Sequence, residues 1–215
     1  MKLLVLGASG KCGIWVVRLA KERGHAVTAV VREESEYEAP EGVMVKKGQV
    51  TEAEFVKSIL TDQKVIISCV GLRRAGASPT SRILSPPDIV QSVMGNVIDC
   101  MSEGSRLIWI SAGGVGSSNK QSSWFVRRLI RLGSLGAAYK DLEAAERLVE
   151  QAEINSLAVR PVTLVKGAPR GNAGPTDRYG LFSTVRRSDV AQWMLDVADG
   201  SRSFEDKNVL LGTVS

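Results

Sequence analysis

The first fourteen residues constrain the fold of this chain more than any other stretch. Leu3 to Leu6 is a continuous apolar run, which is typical of a strand buried on both faces of a parallel sheet. It leads into the turn Gly7-Ala8-Ser9-Gly10-Lys11-Cys12-Gly13, after which Ile14 begins a helical pattern that stops at Gly24. In such a unit, bare backbone and the free N–H groups of the helix N-terminus can bind a dinucleotide pyrophosphate. The sequence predicts a dinucleotide site, with a purely structural glycine turn as the alternative.

Arg32 follows the second predicted strand, Ala26 to Val31. When such a site binds NAD, an acidic residue about 20 residues beyond the glycines accepts the ribose 2′-hydroxyl. An arginine at that place suits the 2′-phosphate of NADP through charge-assisted hydrogen bonds. Arg32 therefore favours NADP, and the alternative is a solvated arginine paired with Glu33 or Glu34.

Strands and helices alternate through the rest of the chain, which predicts one α/β domain with a doubly wound, mostly parallel sheet and helices on both faces. Further strands are predicted at 43–46, 64–70, 106–111, 156–159 and 209–211, and helices near 52–60, 86–101, 124–132, 137–152 and 189–199. Thr51 with Glu54, and Ser85, are predicted to cap the helices that follow them. Loops near 72–87, 113–135 and 166–183 are predicted on the substrate side, although a plain surface loop is an alternative for 72–87.

Composition narrows the class of protein. Hydrophobic residues make up 44% of the chain and charged residues 24%, and no apolar run approaches the roughly 18 residues of a membrane span. The sequence opens on a strand rather than a signal peptide, so we expect a cytoplasmic protein. Cys12, Cys69, Cys100 and the single His25 support neither a disulfide framework, a metal site nor a Ser-His-Asp hydrolase.

Charge gives a weaker indication of partners. The formal charge is +5, but lysine and arginine are interleaved with acids, so we expect no nucleic-acid partner. Residues 124–132 mix aromatic and aliphatic side chains with three arginines. We expect this helix to pack on the domain with its arginines solvated or facing an anionic ligand, and no membrane partner. A membrane-surface helix is the alternative. The sequence does not decide between a monomer and a homodimer.

Five motifs together resemble the atypical or extended branch of the short-chain dehydrogenase/reductase superfamily, close to NmrA-like and biliverdin/flavin-reductase-like NAD(P)-binding proteins. They are the Gly7–Gly13 turn, Val30-Val31-Arg32, Gly48-Gln49-Val50 (usually Gly-Asp-Val), Val159-Arg160-Pro161, and Arg187-Ser188-Asp189-Val190-Ala191. The resemblance covers nearly all 215 residues and implies a single Rossmann domain over 1–215.

The resemblance also implies an NADP(H) site, residue by residue. The pyrophosphate cradle would be Gly7, Ser9, Gly10, Lys11, Cys12 and Gly13, with the 2′-phosphate on Arg32 and adenine near Gln49 and Val50. Cys69, Val70 and Gly71 would pass under the ribose, Ser111 and Ala112 would flank the nicotinamide, and Pro161, Val162 and Thr163 would close its amide side.

The catalytic position departs from the family pattern. Relatives commonly place a lysine or another polar group four residues before the glutamate that resembles Glu146, and this chain has Leu142 there. There is no Tyr-x-x-x-Lys motif either, since Glu143 lies four residues after Tyr139. The candidates are Tyr139 as proton donor, Lys140 lowering its pKa or holding the ribose, and Ser111 binding the substrate oxygen. Alternatively, Tyr139 packs and Lys140 is solvated.

The resulting prediction is an NADPH-dependent oxidoreductase that transfers hydride to a small carbonyl, quinone, flavin or conjugated acceptor. The cofactor would carry the chemistry, and the protein would orient cofactor and small-molecule substrate. Because the Tyr-x-x-x-Lys motif is missing, two alternatives remain. One is a non-catalytic NADP-sensing protein, and the other is a redox-neutral enzyme that uses NADP as a scaffold.

Overall fold

An eight-stranded sheet forms the centre of the molecule, in the order β3-β2-β1-β4-β5-β6-β10-β8. The computed structural model describes residues 1–76, 81–131 and 133–214. The strands are β1 (Lys2–Leu6), β2 (Ala26–Val31), β3 (Met44–Lys47), β4 (Val65–Ser68), β5 (Arg106–Ile110), β6 (Ser156–Pro161), β7 (Thr163–Val165), β8 (Ala173–Pro175), β9 (Thr184–Arg186) and β10 (Asn208–Thr213). All pairs in the large sheet are parallel except β10 with β8, which confirms the predicted α/β class.

Helices cover both faces of this sheet. They are α1 (Gly13–Glu22), α2 (Ala53–Leu60), α3 (Ile89–Cys100), α4 (Trp124–Ile130), α5 (Gly133–Gln151) and α6 (Arg187–Ala198). Strand β1 alternates between the two layers, with Leu3 and Val5 packed among residues of α1 and α6, and Leu4 and Leu6 among residues of α2, α3 and α5. The sheet is thus doubly wound, as predicted. Of the helices in the described ranges, none combines the length and the apolarity that crossing a membrane requires.

The predicted loop over 166–183 is partly strand. Residues 173–175 form β8 at the sheet edge, and the second sheet pairs β7 with β9 in parallel. These strands are three residues long, too short for a period-two pattern to show in the sequence. The predicted loop over 113–135 likewise contains a 3₁₀ turn (Gly116–Asn119), α4 and the start of α5. Residues 77–80 of the predicted 72–87 loop lie outside the described residues.

Helix α3 is capped from a distant part of the chain rather than by Ser85. Asp88 stands at the N-cap, and the Ser85 hydroxyl accepts a hydrogen bond from the Arg73 N–H instead (3.0 Å). The carboxylate of Asp141, on α5, accepts hydrogen bonds from the N–H groups of Val90 (3.0 Å) and Gln91 (2.9 Å). The capping prediction for Ser85 is therefore wrong, because a buried carboxylate supplies the acceptors.

The Thr51–Glu54 capping box is also wrong. Helix α2 has Glu52 at its N-cap, one residue later than predicted, and the described side chains provide no cap hydrogen bond there. The Glu52 N–H instead donates to the carbonyl of Gln49 (2.9 Å), so a backbone turn leads into the helix.

Asp141→Ala is expected to lower the free energy of unfolding by about 1–2 kcal/mol, the usual cost of losing an N-cap acceptor. Asp141 is buried, so water cannot readily replace the carboxylate at the two N–H groups. Chemical denaturation in urea measures the change. Asp99→Ala, an exposed position on α3, is the matched control and is expected to stay within about 0.5 kcal/mol of the parent. Equal costs for the two variants would show that Asp141 does not cap α3.

Candidate active site

The glycine turn after β1 is closely packed, and its glycines are sterically required. Gly7 has φ +73°, and a Cβ there would lie 3.1 Å from the backbone of Cys69. A Cβ on Gly13 would lie 2.2 Å from the Gly7 carbonyl oxygen and 2.8 Å from the Ala8 Cα. The Gly10 N–H donates to the Gly7 carbonyl (3.0 Å). The turn therefore folds on itself and starts α1 directly against β1, as a phosphate-binding turn requires.

The N-terminus of α1 is suited to an anion. Across the described part of the chain, no side chain caps it, and its first turn has no acid. Cys12 is at the N-cap, and burial raises the pKa of its thiol to about 11, partly opposed by the nearby Arg187 guanidinium. The thiol is therefore neutral at physiological pH and places no negative charge beside a phosphate. Together with the glycine backbone, this helix end fits a dinucleotide pyrophosphate.

Arg32 lies at the same sheet edge, just after β2. Its guanidinium forms an ion pair with Glu34 (2.5 Å), which is the alternative arrangement considered from the sequence. The side chains of Arg32 and Glu34 are 40% and 58% exposed, and ion pairs this exposed contribute about 0–1 kcal/mol. A phosphate dianion can therefore compete with Glu34 for Arg32.

The next two predicted cofactor segments flank the turn. Gln49 is exposed after β3, while Val50 packs into the core and its carbonyl accepts from the Asn96 side chain (3.2 Å). Cys69 lies beneath Gly7, and burial raises the pKa of its thiol well above the usual value, with Cys12 adding to the effect. A Cβ added to Gly71 would meet no described atom within 4 Å, so the path beyond β4 is open.

Ser111, at the end of β5, is held by a buried ion pair. Its hydroxyl donates to Glu146 on α5 (2.6 Å). Glu146 also receives two hydrogen bonds from Arg160 on β6, at 2.9 and 2.7 Å, and the two charged side chains are only 10% and 6% exposed. The remaining Arg160 nitrogen donates to the oxygens of Ser117 and Asn208, both at 2.8 Å. With its proton directed to Glu146, Ser111 can accept a hydrogen bond but cannot donate one to a substrate.

Tyr139 and Lys140 do not act together in this structure. The Tyr139 hydroxyl donates to the Gly113 carbonyl (2.8 Å), whereas Lys140 is exposed. The expected lowering of the Tyr139 pKa by Lys140 is wrong, because burial, reinforced by Tyr179, raises that pKa above its usual value. Leu142 faces the core, which explains why an apolar residue is tolerated at the family's usual polar position.

Tyr179 is a site residue that the sequence analysis missed. Its hydroxyl is 3.1 Å from the Thr163 hydroxyl, and its ring lies against Gly113. Backbone hydrogen bonds to Gln121 and from Ser123, both 2.9 Å, hold it between the segments that follow β5 and β6. A tyrosine in a glycine-rich loop is a weak signal, and only these tertiary contacts place it at the site.

The three residues predicted to close the nicotinamide pocket differ in orientation. Val162 is 3% exposed and packs in the core, and the Pro161 carbonyl accepts from the Gly113 N–H (2.8 Å). Thr163 is exposed and carries the hydroxyl that meets Tyr179. Ala112, on the neighbouring strand end, is half-buried. Thr163 is thus the member of the three that offers a side chain to a ligand.

The Arg187-Ser188-Asp189 signature fixes a loop. Asp189 is buried and accepts hydrogen bonds from the N–H groups of Arg170 (2.5 Å) and Gly171 (2.9 Å), while the Ser188 hydroxyl donates to the Gly167 carbonyl (2.8 Å). The start of the segment that carries Tyr179 is thereby tied to α6. Arg187 comes near Cys12, so α6 also contributes charge to the glycine turn.

The fold and this cradle define a class of protein, and comparison with known families identifies it. The model of the NAD(P)H-binding family matches residues 7–200. The chain belongs to the NAD(P)H-binding family, and the resemblance noted from its motifs is confirmed.

Solved structures show the same fold. They include ChuY, an anaerobilin reductase from Escherichia coli (23% identity, covering 98% of this chain and 96% of that one, TM-score 0.75). The oxidoreductase ylbE from Lactococcus lactis gives 17%, 100%, 92% and 0.78, and a wide-type short-chain dehydrogenase/reductase from Veillonella parvula, in complex with NADP, gives 14%, 98%, 94% and 0.72. Among curated proteins, the uncharacterized Bacillus subtilis YwnB is 43% identical over 47 residues, which span 22% of each protein.

Proposed function

We propose that this protein is an NADPH-dependent oxidoreductase that transfers hydride to a small carbonyl, quinone, flavin or conjugated acceptor in the cytoplasm. The observation that carries the proposal is the presence of Arg32 on the same sheet edge as the open glycine turn. Family membership supports a nicotinamide cofactor. The fold shared with a reductase and with an NADP complex is consistent with it.

The residues of this chain would bind and orient the cofactor, which supplies the hydride when bound. The turn from Gly7 to Gly13 would hold the pyrophosphate with backbone N–H groups, Lys11 being exposed beside it. Arg32 would exchange Glu34 for the 2′-phosphate, and Gln49 is placed to hydrogen-bond the adenine. Cys69, neutral and buried under the turn, would leave the ribose side uncharged.

On the acceptor side we assign different roles to the candidate hydroxyl groups. Ser111, whose proton points to Glu146, would accept a hydrogen bond from the nicotinamide or the substrate. The paired hydroxyls of Thr163 and Tyr179 can donate, so they would bind the substrate oxygen. Tyr139 would be a positioning residue that holds Gly113, and the exposed Lys140 has no role in this arrangement.

Arg32→Asp is expected to weaken NADP⁺ binding about 10- to 100-fold, because hydrogen bonds between charged groups contribute about 1.5–3 kcal/mol. NAD⁺ affinity is expected to change less than about threefold. Isothermal titration calorimetry with both dinucleotides measures the preference. Arg18→Asp is the matched control, since Arg18 also forms an exposed ion pair with a glutamate but lies on α1. An unchanged preference in Arg32→Asp would remove Arg32 from the site, and loss of NADPH absorbance with an acceptor panel tests turnover.

A non-catalytic NADP-sensing protein is the second candidate. It is favoured by the absence of a Tyr-x-x-x-Lys motif and by the engagement of Tyr139 with a backbone carbonyl. A redox sensor must bind NADP⁺ and NADPH with different affinities, because a ligand without differential affinity shifts no equilibrium. Tight NADPH binding, no turnover with any acceptor class and unequal affinities would favour sensing over catalysis.

A further inference from the structure

Helix α4 turns aromatic side chains outward. Trp124, Phe125 and Leu129 are 66%, 47% and 40% exposed, while Val126 faces inward and is buried. Positions 124, 125, 128 and 129 share one face of a helix, so Arg128, which is also exposed, lies among these apolar side chains. The expected arrangement, with apolar residues packed on the domain and arginines solvated, is thus only partly realised.

A second exposed apolar segment starts beside α4. Leu181 is 48% exposed and Phe182 90% exposed. Ser122 and Tyr179 form a parallel bridge, so the chain leaves both residues in the same direction, toward α4 on one side and toward 181–182 on the other. We call Trp124, Phe125, Leu129, Leu181 and Phe182 the aromatic patch. Exposed apolar surface of this kind marks an interaction site more often than isolated exposed residues do.

The charge of the molecule is concentrated on the same side. The segments 72–87, 113–135 and 166–183 contain ten lysines and arginines and one acid, a net charge of +9. The whole chain has a net charge of +5, so the remaining residues carry −4. Arg128, Arg131 and Arg178 are exposed in or next to the segments that carry the aromatic patch. The sequence-wide average conceals this asymmetry.

We propose that the aromatic patch and its arginines dock the protein on an anionic lipid surface. Aromatic and aliphatic side chains enter the headgroup region, and basic residues are attracted to acidic lipids. A second copy of this chain suits the surface less well, because a two-fold interface would oppose the arginines of one copy to those of the other. This proposal does not depend on the proposed oxidoreductase function.

Co-sedimentation with phosphatidylcholine vesicles, with and without about one third phosphatidylserine, tests the proposal. The full-length protein is expected to bind the anionic vesicles at least about tenfold more tightly, and salt is expected to weaken that binding. Brominated lipid is expected to quench the fluorescence of Trp124, as judged by the difference between the parent and Trp124→Phe.

Two pairs of variants separate the contributions. Trp124→Ser with Phe182→Ser removes apolar contact and is expected to weaken binding to anionic vesicles about tenfold or more. Its control is Met44→Ser, which removes a 58% exposed apolar side chain at the opposite sheet edge and is expected to bind like the parent.

Arg128→Gln with Arg131→Gln is expected to reduce the preference for phosphatidylserine about tenfold. Its charge-matched control is Lys2→Gln with Lys64→Gln, exposed residues at the amino-terminal ends of β1 and β4, which should leave that preference unchanged. All four substitutions in the two patch variants are at exposed positions, so thermal unfolding is expected to match the parent.

Three results would overturn the proposal. The first is an absence of vesicle binding by the parent protein, and the second is equal binding by the patch variants and their controls. The third is a concentration-dependent dimer that Trp124→Ser with Phe182→Ser converts to monomer, since this would identify a second copy as the occupant of the patch.

Discussion

Arg160→Met is expected to lower the free energy of unfolding by about 3–5 kcal/mol, as measured by urea denaturation. The substitution leaves the Glu146 carboxylate buried without its cation, and Ser117 and Asn208 lose their common donor. Removal of one partner from a buried ion pair is costly because the remaining charge is neither paired nor hydrated. The Ser111 hydroxyl would also lose the fixed position of its acceptor.

Two further variants make this result interpretable. Glu146→Leu with Arg160→Met removes both charges, so it is expected to cost less than Arg160→Met alone. Arg18→Met breaks the exposed pair with Glu22, whose side chains are 60% and 55% exposed, and is expected to cost less than about 1 kcal/mol. A similar small cost for Arg160→Met would contradict the assignment of a buried, stabilising pair beneath Ser111.

Gly13→Ala is expected to destabilise the fold by about 3 kcal/mol or more and to weaken NAD(P)H binding at least about tenfold. The added Cβ would lie 2.2 Å from the Gly7 carbonyl oxygen, so α1 must move away from β1. That movement separates the helix N-terminus from the glycine backbone, the two parts of the phosphate cradle. Thermal unfolding and calorimetry with NADPH measure the two effects.

Gly95→Ala is the matched control. Gly95 lies within α3, and a Cβ there would make an ordinary contact with Leu148 at 3.7 Å. The same substitution is therefore expected to stabilise the protein by about 0.5–1 kcal/mol through helix propensity, with no effect on cofactor affinity. If Gly13→Ala behaved like Gly95→Ala, the close approach of α1 to β1 would not be required.

Local patterns were enough to predict the main layout. The apolar runs of β1 and β4, the glycine turn and the helix ending at Gly24 are short-range features, and their order requires parallel strands joined by helices. Because ligands bind beyond the carboxyl ends of such strands, the same patterns also brought the cofactor candidates to one edge. Family membership confirms a nicotinamide dinucleotide as the ligand class.

Hydrogen-bond partners at this edge could not be read in the same way. Ser111 meets Glu146 across 35 residues, and Asp141 caps a helix that begins about 50 residues earlier. Periodicity reports which side of an element is apolar, but it carries no information on which distant polar group lies opposite. The same limit applied to Tyr179, whose backbone partners belong to another loop.

The sequence by itself determined the sheet, the glycine turn and the position of Arg32, since each depends on residues close together in the chain. Tertiary structure decided what the polar side chains do: Arg32 pairs with Glu34, Ser111 gives its proton to Glu146, and Tyr179 rather than Lys140 joins the site. The physical reason is that buried polar groups must find partners wherever the packed elements bring them together.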